Sequence, residues 1–101
     1  MPTAPQVEVT RELGATRGRY VAKIAGHAGE AELTFLREQP DVFIADHTLT
    51  PVPLRGRGIA TVLVERMVAD ARREGFKIEP VCPFVVTLFN HHPDWADVRA
   101  R

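Results

Sequence analysis

The hydrophobic period of this sequence changes at Gly58, and that change constrains the fold more than any other feature. Before Gly58, apolar and polar residues alternate through RYVAKI, AELTFLRE and VFIADHTLT, which is the period-2 pattern of β-strands. After Gly58, apolar residues recur at helical spacing as far as Ala71, and Gly75 follows where a left-handed helix cap is expected. The sequence therefore predicts a run of strands followed by an amphipathic helix.

Shorter patterns near the two ends complete the predicted order of elements. Val7 and Val9 alternate with polar neighbours and predict a short edge strand, whereas residues 1–5 predict a loose arm. Beyond the helix, FKIEPVC predicts another strand, and Pro83 is well placed as the first residue of a second helix, which Pro93 ends. The tail WADVRAR is compatible with a last helical turn or with a docked arm.

Length and charge limit the class of protein. A chain of 101 residues fits one domain, so we expect a single α/β (α+β) domain over residues 1–101. Lysine plus arginine number 13 and aspartate plus glutamate also 13, so no overall field attracts nucleic acid or an anionic membrane, and we expect neither partner. The lone Cys82 excludes an internal disulfide, and the start MPTAPQ lacks the features of a secretory signal. We therefore expect a reducing cytoplasm; the oligomeric state stays open.

The segment RGRGIA, from Arg55 to Ala60, opens the predicted helix and lacks the usual acidic residues. A helix start leaves backbone N–H groups unpaired and carries partial positive charge, so carboxylates normally occupy its first turn. None occurs between Asp46 and Glu65, while arginines flank glycines that allow close approach to the backbone. The pattern predicts an external anion, with a glycine-containing connection and solvent-facing arginines as the alternative. The segment is not a P-loop, because no Lys and Ser or Thr follow its second glycine. It is not a dinucleotide-binding fingerprint either, because the third small residue is missing.

The same segment resembles the acyl-CoA signature of the GNAT superfamily of N-acyltransferases: Gln or Arg, two residues, Gly, one residue, then Gly or Ala. Arg55, Gly58 and Ala60 match it. The ordered motifs HT, RGRGIA, PVCPF and HHPDW further resemble the small GNAT-like proteins of about one hundred residues, over about Tyr20 to Val98. The resemblance implies a mixed, mainly antiparallel sheet with a CoA-binding helix on one face and a short C-terminal helix.

The resemblance also implies the residues that bind acetyl-CoA or free CoA. Backbone amides along the helix start are expected to hold the pyrophosphate, and the end of the preceding strand to line the pantetheine arm. The first group comprises Arg55, Gly56, Arg57, Gly58, Ile59 and Ala60; the second lies around Thr50, Val52 and Leu54.

Two features depart from ordinary GNAT enzymes. Their first strand is followed by two helices that shape the acceptor site, but no helical periodicity appears here before Gly58. Their tyrosine acid is also missing, because Tyr20 is the only tyrosine and lies far upstream. The resemblance therefore leaves open how the acceptor binds and what protonates the leaving thiolate.

Cys82 and His47 are the candidate catalytic residues. Cys82 precedes Pro83 at a predicted helix start, where the helix dipole stabilises a thiolate, and the alternative is a small buried residue at a strand end. His47 is predicted to share a strand face with Phe43, Ala45 and Leu49, as either a base beside the acyl group or a hydrogen-bonded core histidine.

No metal site is expected, because the adjacent residues His91 and His92 do not share a helix face and have no further ligand at helical spacing. The resemblance implies an acetyl-CoA-binding protein, an N-acetyltransferase acting on an unknown amine. The alternative is a non-catalytic acyl-CoA binding or sensing module, which the missing acceptor helices favour.

Overall fold

The computed structural model describes residues 7–100, so the loose arm predicted for residues 1–5 lies outside the described residues. Five strands and two α-helices follow one another, with short 3-10 turns after the fourth strand and after the second helix. They are β1 (Val7–Leu13), β2 (Arg17–Ile24), β3 (Ala31–Gln39), β4 (Val42–Leu49), the turn Val52–Leu54, α1 (Ile59–Glu74), β5 (Lys77–Pro80), α2 (Pro83–His91) and the turn Pro93–Trp95.

These elements form one sheet in sequence order, β1-β2-β3-β4-β5. The first four strands are antiparallel neighbours, and β5 runs parallel to β4 after the α1 crossover. The predicted fold, a mixed and mainly antiparallel sheet with a crossover helix and a short C-terminal helix, is confirmed. The tail docks as an arm: the Ile78 amide donates to the Val98 carbonyl at 2.7 Å, and the Ala100 amide donates to the Ile78 carbonyl at 2.8 Å.

The core lies between α1 and the sheet. The helix buries its apolar residues against β1, β2, β3 and β5, where aromatic rings form a continuous row with centroid separations of 5.6, 4.8 and 4.0 Å. The rings belong, in order, to Tyr20, Phe35, Phe43 and Phe76. Burying one such side chain contributes roughly 1.5 to 3 kcal/mol, so this row fixes α1 over the sheet.

One residue of α1 departs from the predicted helix face. Helical spacing places Asp70 on the polar outer face together with Glu65, Arg66, Arg72 and Arg73, but Asp70 is fully buried, so that prediction was wrong. Its carboxylate accepts a hydrogen bond from the Tyr20 hydroxyl at 2.8 Å and contacts the guanidinium groups of Arg11, Arg66 and Arg73. These partners compensate the charge, which is why a carboxylate is tolerated in the core.

The parallel strands β4 and β5 separate at Ala45. They pair only over Val42–Ala45, whereas β4 continues to Leu49. Beyond the pairing, the amides of Val81 and Cys82 both donate to the Ala45 carbonyl, at 3.0 and 2.9 Å, and the chain then turns into α2. A gap therefore opens between the end of β4 and the start of α2.

The strand before α1 is shorter than expected at its C-terminal end. The residues Thr50 to Leu54 are predicted at the end of that strand, but β4 ends at Leu49 and Val52–Leu54 forms a 3-10 turn. The reason is that Pro51 and Pro53 lack the N–H groups that a strand ladder requires. The chain therefore leaves the sheet before it reaches the glycine-arginine segment.

Candidate functional site

A cleft of about 370 Å³ lies where β4 ends and α1 begins. One wall comes from the end of β4 and the following turn, another from the start of α1, and a third from the start of α2. The lining residues are Thr48, Leu49, Thr50, Leu54, Arg55, Gly56, Gly58, Ile59, Ala60, Thr61 and Phe84. The gap between the separated strands thus continues directly to the helix start.

The start of α1 exposes backbone to this cleft. Gly58 caps the helix with φ 73° and Gly56 has φ 79°, a left-handed conformation that favours glycine. Within residues 7–100, the amides of Ile59, Ala60 and Thr61 have no backbone or side-chain acceptor, and the first turn contains no acidic residue. A methyl group added at Gly58 meets no atom within 4 Å, so the space above it is open. The helix start therefore presents free donors and partial positive charge to an open volume.

The predicted cofactor residues are only partly brought together. Seven of the nine line the cleft, whereas Val52 and Arg57 do not. The Arg55 amide already donates to the Val52 carbonyl at 3.2 Å, and its Nε donates to the Thr50 carbonyl at 2.9 Å, so Arg55 braces the loop. Leu54 is fully buried and forms part of the cleft wall. Within the described residues the amides of Gly56 to Thr61 have no acceptor, so of the predicted amides only that of Arg55 is occupied, and Thr61 adds one that was not predicted.

Thr48 connects the cleft to Cys82. Its hydroxyl lies 3.4 Å from the Cys82 Sγ, across the gap between β4 and α2. Cys82 is the N-cap of α2, with Pro83 in the first turn, as predicted. Cys82 is 7 % exposed and does not itself line the cleft, but its thiol lies directly behind the lining residue Thr48.

The surroundings of Cys82 favour its thiolate. Burial alone would raise the pKa of the thiol, but the Thr48 hydroxyl and the backbone amides of Val85 and Phe84 together hold the pKa below its ordinary value. All of these groups are neutral, so the stabilisation comes from hydrogen-bond donors and the start of α2 rather than from a cation.

His47 lies on the other face of β4. A register shift in the β3–β4 pairing leaves Asp46 without a partner of its own, so that Thr34 pairs with His47 while Phe35 pairs with Ala45. This bulge reverses the alternation of inward and outward side chains along β4. His47 is therefore exposed, although Ala45, two residues earlier, is buried. The prediction that His47 shares a face with Phe43 and Ala45 was wrong; it shares the outer face with Leu49. Neighbouring strand residues point to opposite faces, so His47 also points away from Thr48 and Cys82.

Four residues line the cleft without a predicted role: Thr48, Leu49, Thr61 and Phe84. Thr48 and Phe84 belong to the quoted motifs HT and PVCPF, but their positions depend on the bulge and on the turn of the chain after Pro80. One signal was available: Phe84 follows Cys82 and Pro83 in the first turn of α2, where a side chain points back toward the preceding strand.

The remaining surface contains a second, larger depression of about 880 Å³ between the start of β1 and the β2–β3 turn, lined by none of the predicted site residues. In the described part of the chain, no three His, Cys, Asp or Glu side chains gather as a metal site would require. At the helix end, His92 stacks on Trp95 with ring centroids 3.9 Å apart. Among residues 7–100, no helix is long and apolar enough to span a membrane.

Comparison with known proteins identifies the family. The family model described as GCN5-related N-acetyl-transferase matches residues 19–98, about four fifths of the chain. Comparison with curated protein sequences finds no match. The family match spans β2 to the docked tail and so includes the separated strands, the cleft and Cys82. The chain belongs to the GCN5-related N-acetyl-transferase family.

Proposed function

We propose that this protein is an N-acetyltransferase that transfers an acetyl group from acetyl-CoA to an amine, with the CoA moiety bound in the cleft between β4 and α1. The start of α1 carries the proposal. Its free amides at Ile59, Ala60 and Thr61, the left-handed Gly58 and the open space above it form a site suited to an anion. The pyrophosphate of CoA supplies that anion, and the family match supports the choice of CoA.

The other cleft residues have distinct proposed roles. Thr50 and the wall formed by Leu54 would face the pantetheine arm, while the exposed Arg57 guanidinium adds positive charge beside the phosphates. Within the described residues Arg57 has no ion-pair partner, so its charge is available to an anion. Arg55 acts differently, because its Nε braces the Thr50 carbonyl and so holds the loop in shape.

The reaction joins an amine to the acetyl carbonyl carbon. Acetyl-CoA supplies a thioester: a C–N bond forms at its carbonyl carbon, the C–S bond breaks, and CoA leaves as a thiolate. The acceptor nitrogen loses a proton to water, since His47 is on the opposite face of β4 from Thr48. Cys82, behind Thr48, has two alternative roles: it gives the leaving CoA thiolate a proton, or its own thiolate attacks the acetyl carbonyl carbon and forms an acetyl-cysteine thioester as CoA leaves. In the second case the amine then attacks this thioester and releases the Cys82 thiolate, and the lowered pKa of Cys82 supports that role.

A non-catalytic acyl-CoA binding module is the second candidate, and one observation favours it. Strands β1 to β4 follow one another without an intervening helix, so within residues 7–58 no α-helix stands where ordinary family members shape the acceptor site. Such a module would bind CoA in the same cleft but would not catalyse acetyl transfer. Turnover therefore separates the two candidates.

The experiment is a calorimetric titration followed by an assay of CoA release. We expect acetyl-CoA and CoA to bind, and pantetheine, which lacks the phosphates, to bind far more weakly. Affinity should fall as salt rises and should fall further in Arg57→Ala, because salt and the lost cation weaken phosphate attraction. Equal binding of pantetheine and CoA would contradict the phosphate site. Binding without amine-dependent release of CoA would favour the module.

A further inference from the structure

Among residues 7–100, no group that lines the cleft can take a proton from an ammonium ion. Eleven residues line it, and the Arg55 guanidinium is the only ionisable side chain among them. A guanidinium group stays protonated in proteins and has no acceptor atom, so it cannot act as a base. The other lining residues are glycines, threonines and residues with apolar side chains. The cleft wall therefore offers an incoming amine no general base.

Three titratable side chains near the end of β4 lie outside this wall. His47 is exposed on the outer face of the sheet, which is the face away from α1. The Asp46 carboxylate is on the same face, because it accepts a hydrogen bond at 2.7 Å from the hydroxyl of Thr34, whose two neighbours in β3 are fully buried on the inner face. Cys82 lies behind Thr48, and each of its proposed roles commits the thiol to the CoA sulfur or to the acetyl carbon. None of the three is placed to deprotonate an amine that reaches the cleft.

We propose that the acceptor is a weakly basic amine, such as the α-amino group of an amino acid or peptide, and not a lysine-type amine. This inference rests on the proposed acetyl transfer and names its substrate class. An ammonium ion has no free electron pair with which to attack a thioester carbon. Because the cleft supplies no base, the acceptor has to arrive as the neutral amine. The C–N bond then forms, the C–S bond breaks, and the nitrogen gives its proton to water.

The pKa of the acceptor decides how much of it can react. An α-amino group with a pKa of about 7.7 to 8.0 is roughly 10 to 17 % neutral at pH 7, whereas a lysine-type amine with a pKa of about 10.4 is roughly 0.04 % neutral. The neutral fractions therefore differ by roughly 200- to 400-fold. A more basic amine is the better nucleophile once it is neutral, as is true of thiolates, and this offsets part of the difference.

Two small acceptors with one amine each test the substrate class. Alaninamide carries only an α-amino group, and Nα-acetyl-lysinamide carries only a lysine-type amine. CoA release is measured with saturating acetyl-CoA at pH 7, 8 and 9. We expect kcat/KM at pH 7 to be at least about tenfold higher for alaninamide, because far more of it is neutral.

The pH dependence of this ratio shows where the proton goes. Between pH 8 and pH 9 the neutral fraction of Nα-acetyl-lysinamide rises about tenfold and that of alaninamide about twofold, so the ratio should fall about fivefold. The ionisation of Cys82 affects both acceptors equally and cancels in the ratio. A higher kcat/KM for Nα-acetyl-lysinamide at pH 7, or a ratio that stays constant from pH 7 to pH 9, would overturn the inference, since either result requires a base on the protein.

Two variants test the side chains on the outer face. His47→Ala and Asp46→Asn each remove one titratable group beside the end of β4, and we expect kcat/KM for both acceptors to stay nearly unchanged. Removal of a general base lowers the rate by about a hundredfold or more. Such a loss in either variant, with unchanged melting temperature and unchanged affinity for acetyl-CoA, would overturn the inference. A wild type that does not bind acetyl-CoA would instead reject the proposed function, and binding without turnover of either acceptor would reject acetyl transfer and this inference together.

Discussion

At the residue scale, the contact between Thr48 and Cys82 sets the environment of the buried thiol. The hydroxyl lies 3.4 Å from the thiol sulfur, and the two residues come from separate elements, β4 and the cap of α2. Because the bulge at Asp46 turns Thr48 rather than His47 toward the cleft, a single irregularity decides which side chain meets the cysteine. Thr48 is therefore a positioning residue for Cys82.

Replacing Thr48 tests this contact. Thr48→Val keeps the shape but removes the hydroxyl, so we expect the pKa of Cys82 to rise and its alkylation by iodoacetamide at neutral pH to slow. The alkylation rate should fall about tenfold, which corresponds to the lower end of the free energy of a hydrogen bond to a charged group. Thr48→Ser retains the hydroxyl and should react at nearly the wild-type rate. If valine and serine at position 48 give the same pH profile of alkylation, the hydroxyl does not act on the thiol.

At the element scale, an ion network around the buried Asp70 joins α1 to the edge of the sheet. Asp70 on α1 meets the Tyr20 hydroxyl from β2 and the Arg11 guanidinium from β1, and Arg11 also pairs with Glu74 at 2.9 Å. Burial alone would raise the pKa of Asp70, but the Tyr20 hydroxyl and the guanidinium groups of Arg73 and Arg66 lower it overall. The network fixes the C-terminal half of α1, while the opposite end faces the cleft.

Asp70→Asn should destabilise the protein by about 1 to 3 kcal/mol, because it weakens the buried hydrogen bond from Tyr20, whereas the guanidinium partners are partly exposed and can be solvated. The sign of the pH dependence follows from the lowered pKa of the folded state. The contribution of Asp70 is fully present above its unfolded pKa and is lost as the pH falls through the folded pKa, below its ordinary value near 3.8. The wild type should therefore lose stability with acid more steeply than the variant.

Chemical denaturation between pH 2 and pH 7 measures both effects. Asp97→Asn is the control, since it breaks an exposed pair with Arg72 and should change stability far less. A difference between wild type and Asp70→Asn that stays constant over this pH range would contradict the assigned titration of Asp70.

At the scale of the whole molecule, the order of elements could be predicted from the sequence, while the details of the site could not. Local patterns sufficed for the strands, for the Gly58 and Gly75 boundaries of α1 and for Pro83 in α2, because periodicity and caps are properties of neighbouring residues. The side-chain directions at His47 and Asp70 depend on a bulge and on partners far along the chain. Neither the bulge nor these distant partners can be recognised from the residues next to His47 or Asp70 in the sequence.

The two ends of α1 allow a matched test of whether CoA phosphate binds at the helix start. Gly58 and Gly75 both have left-handed backbone, with φ 73° and 87°, and a methyl group added at either meets no atom within 4 Å. Valine at either position should therefore cost stability through backbone strain, about 1 to 2 kcal/mol or more for a β-branched residue. Only position 58, however, lines the cleft.

Calorimetric titration with CoA is done on wild type, Gly58→Val and Gly75→Val, with melting temperatures measured in parallel. We expect similar losses of melting temperature in the two variants, near wild-type CoA affinity in Gly75→Val, and loss of measurable binding in Gly58→Val. If wild-type affinity is micromolar, near −8 kcal/mol, that loss is at least ~2 to 3 kcal/mol. A folded Gly58→Val variant that binds CoA as tightly as Gly75→Val would contradict the binding of CoA phosphate at the start of α1.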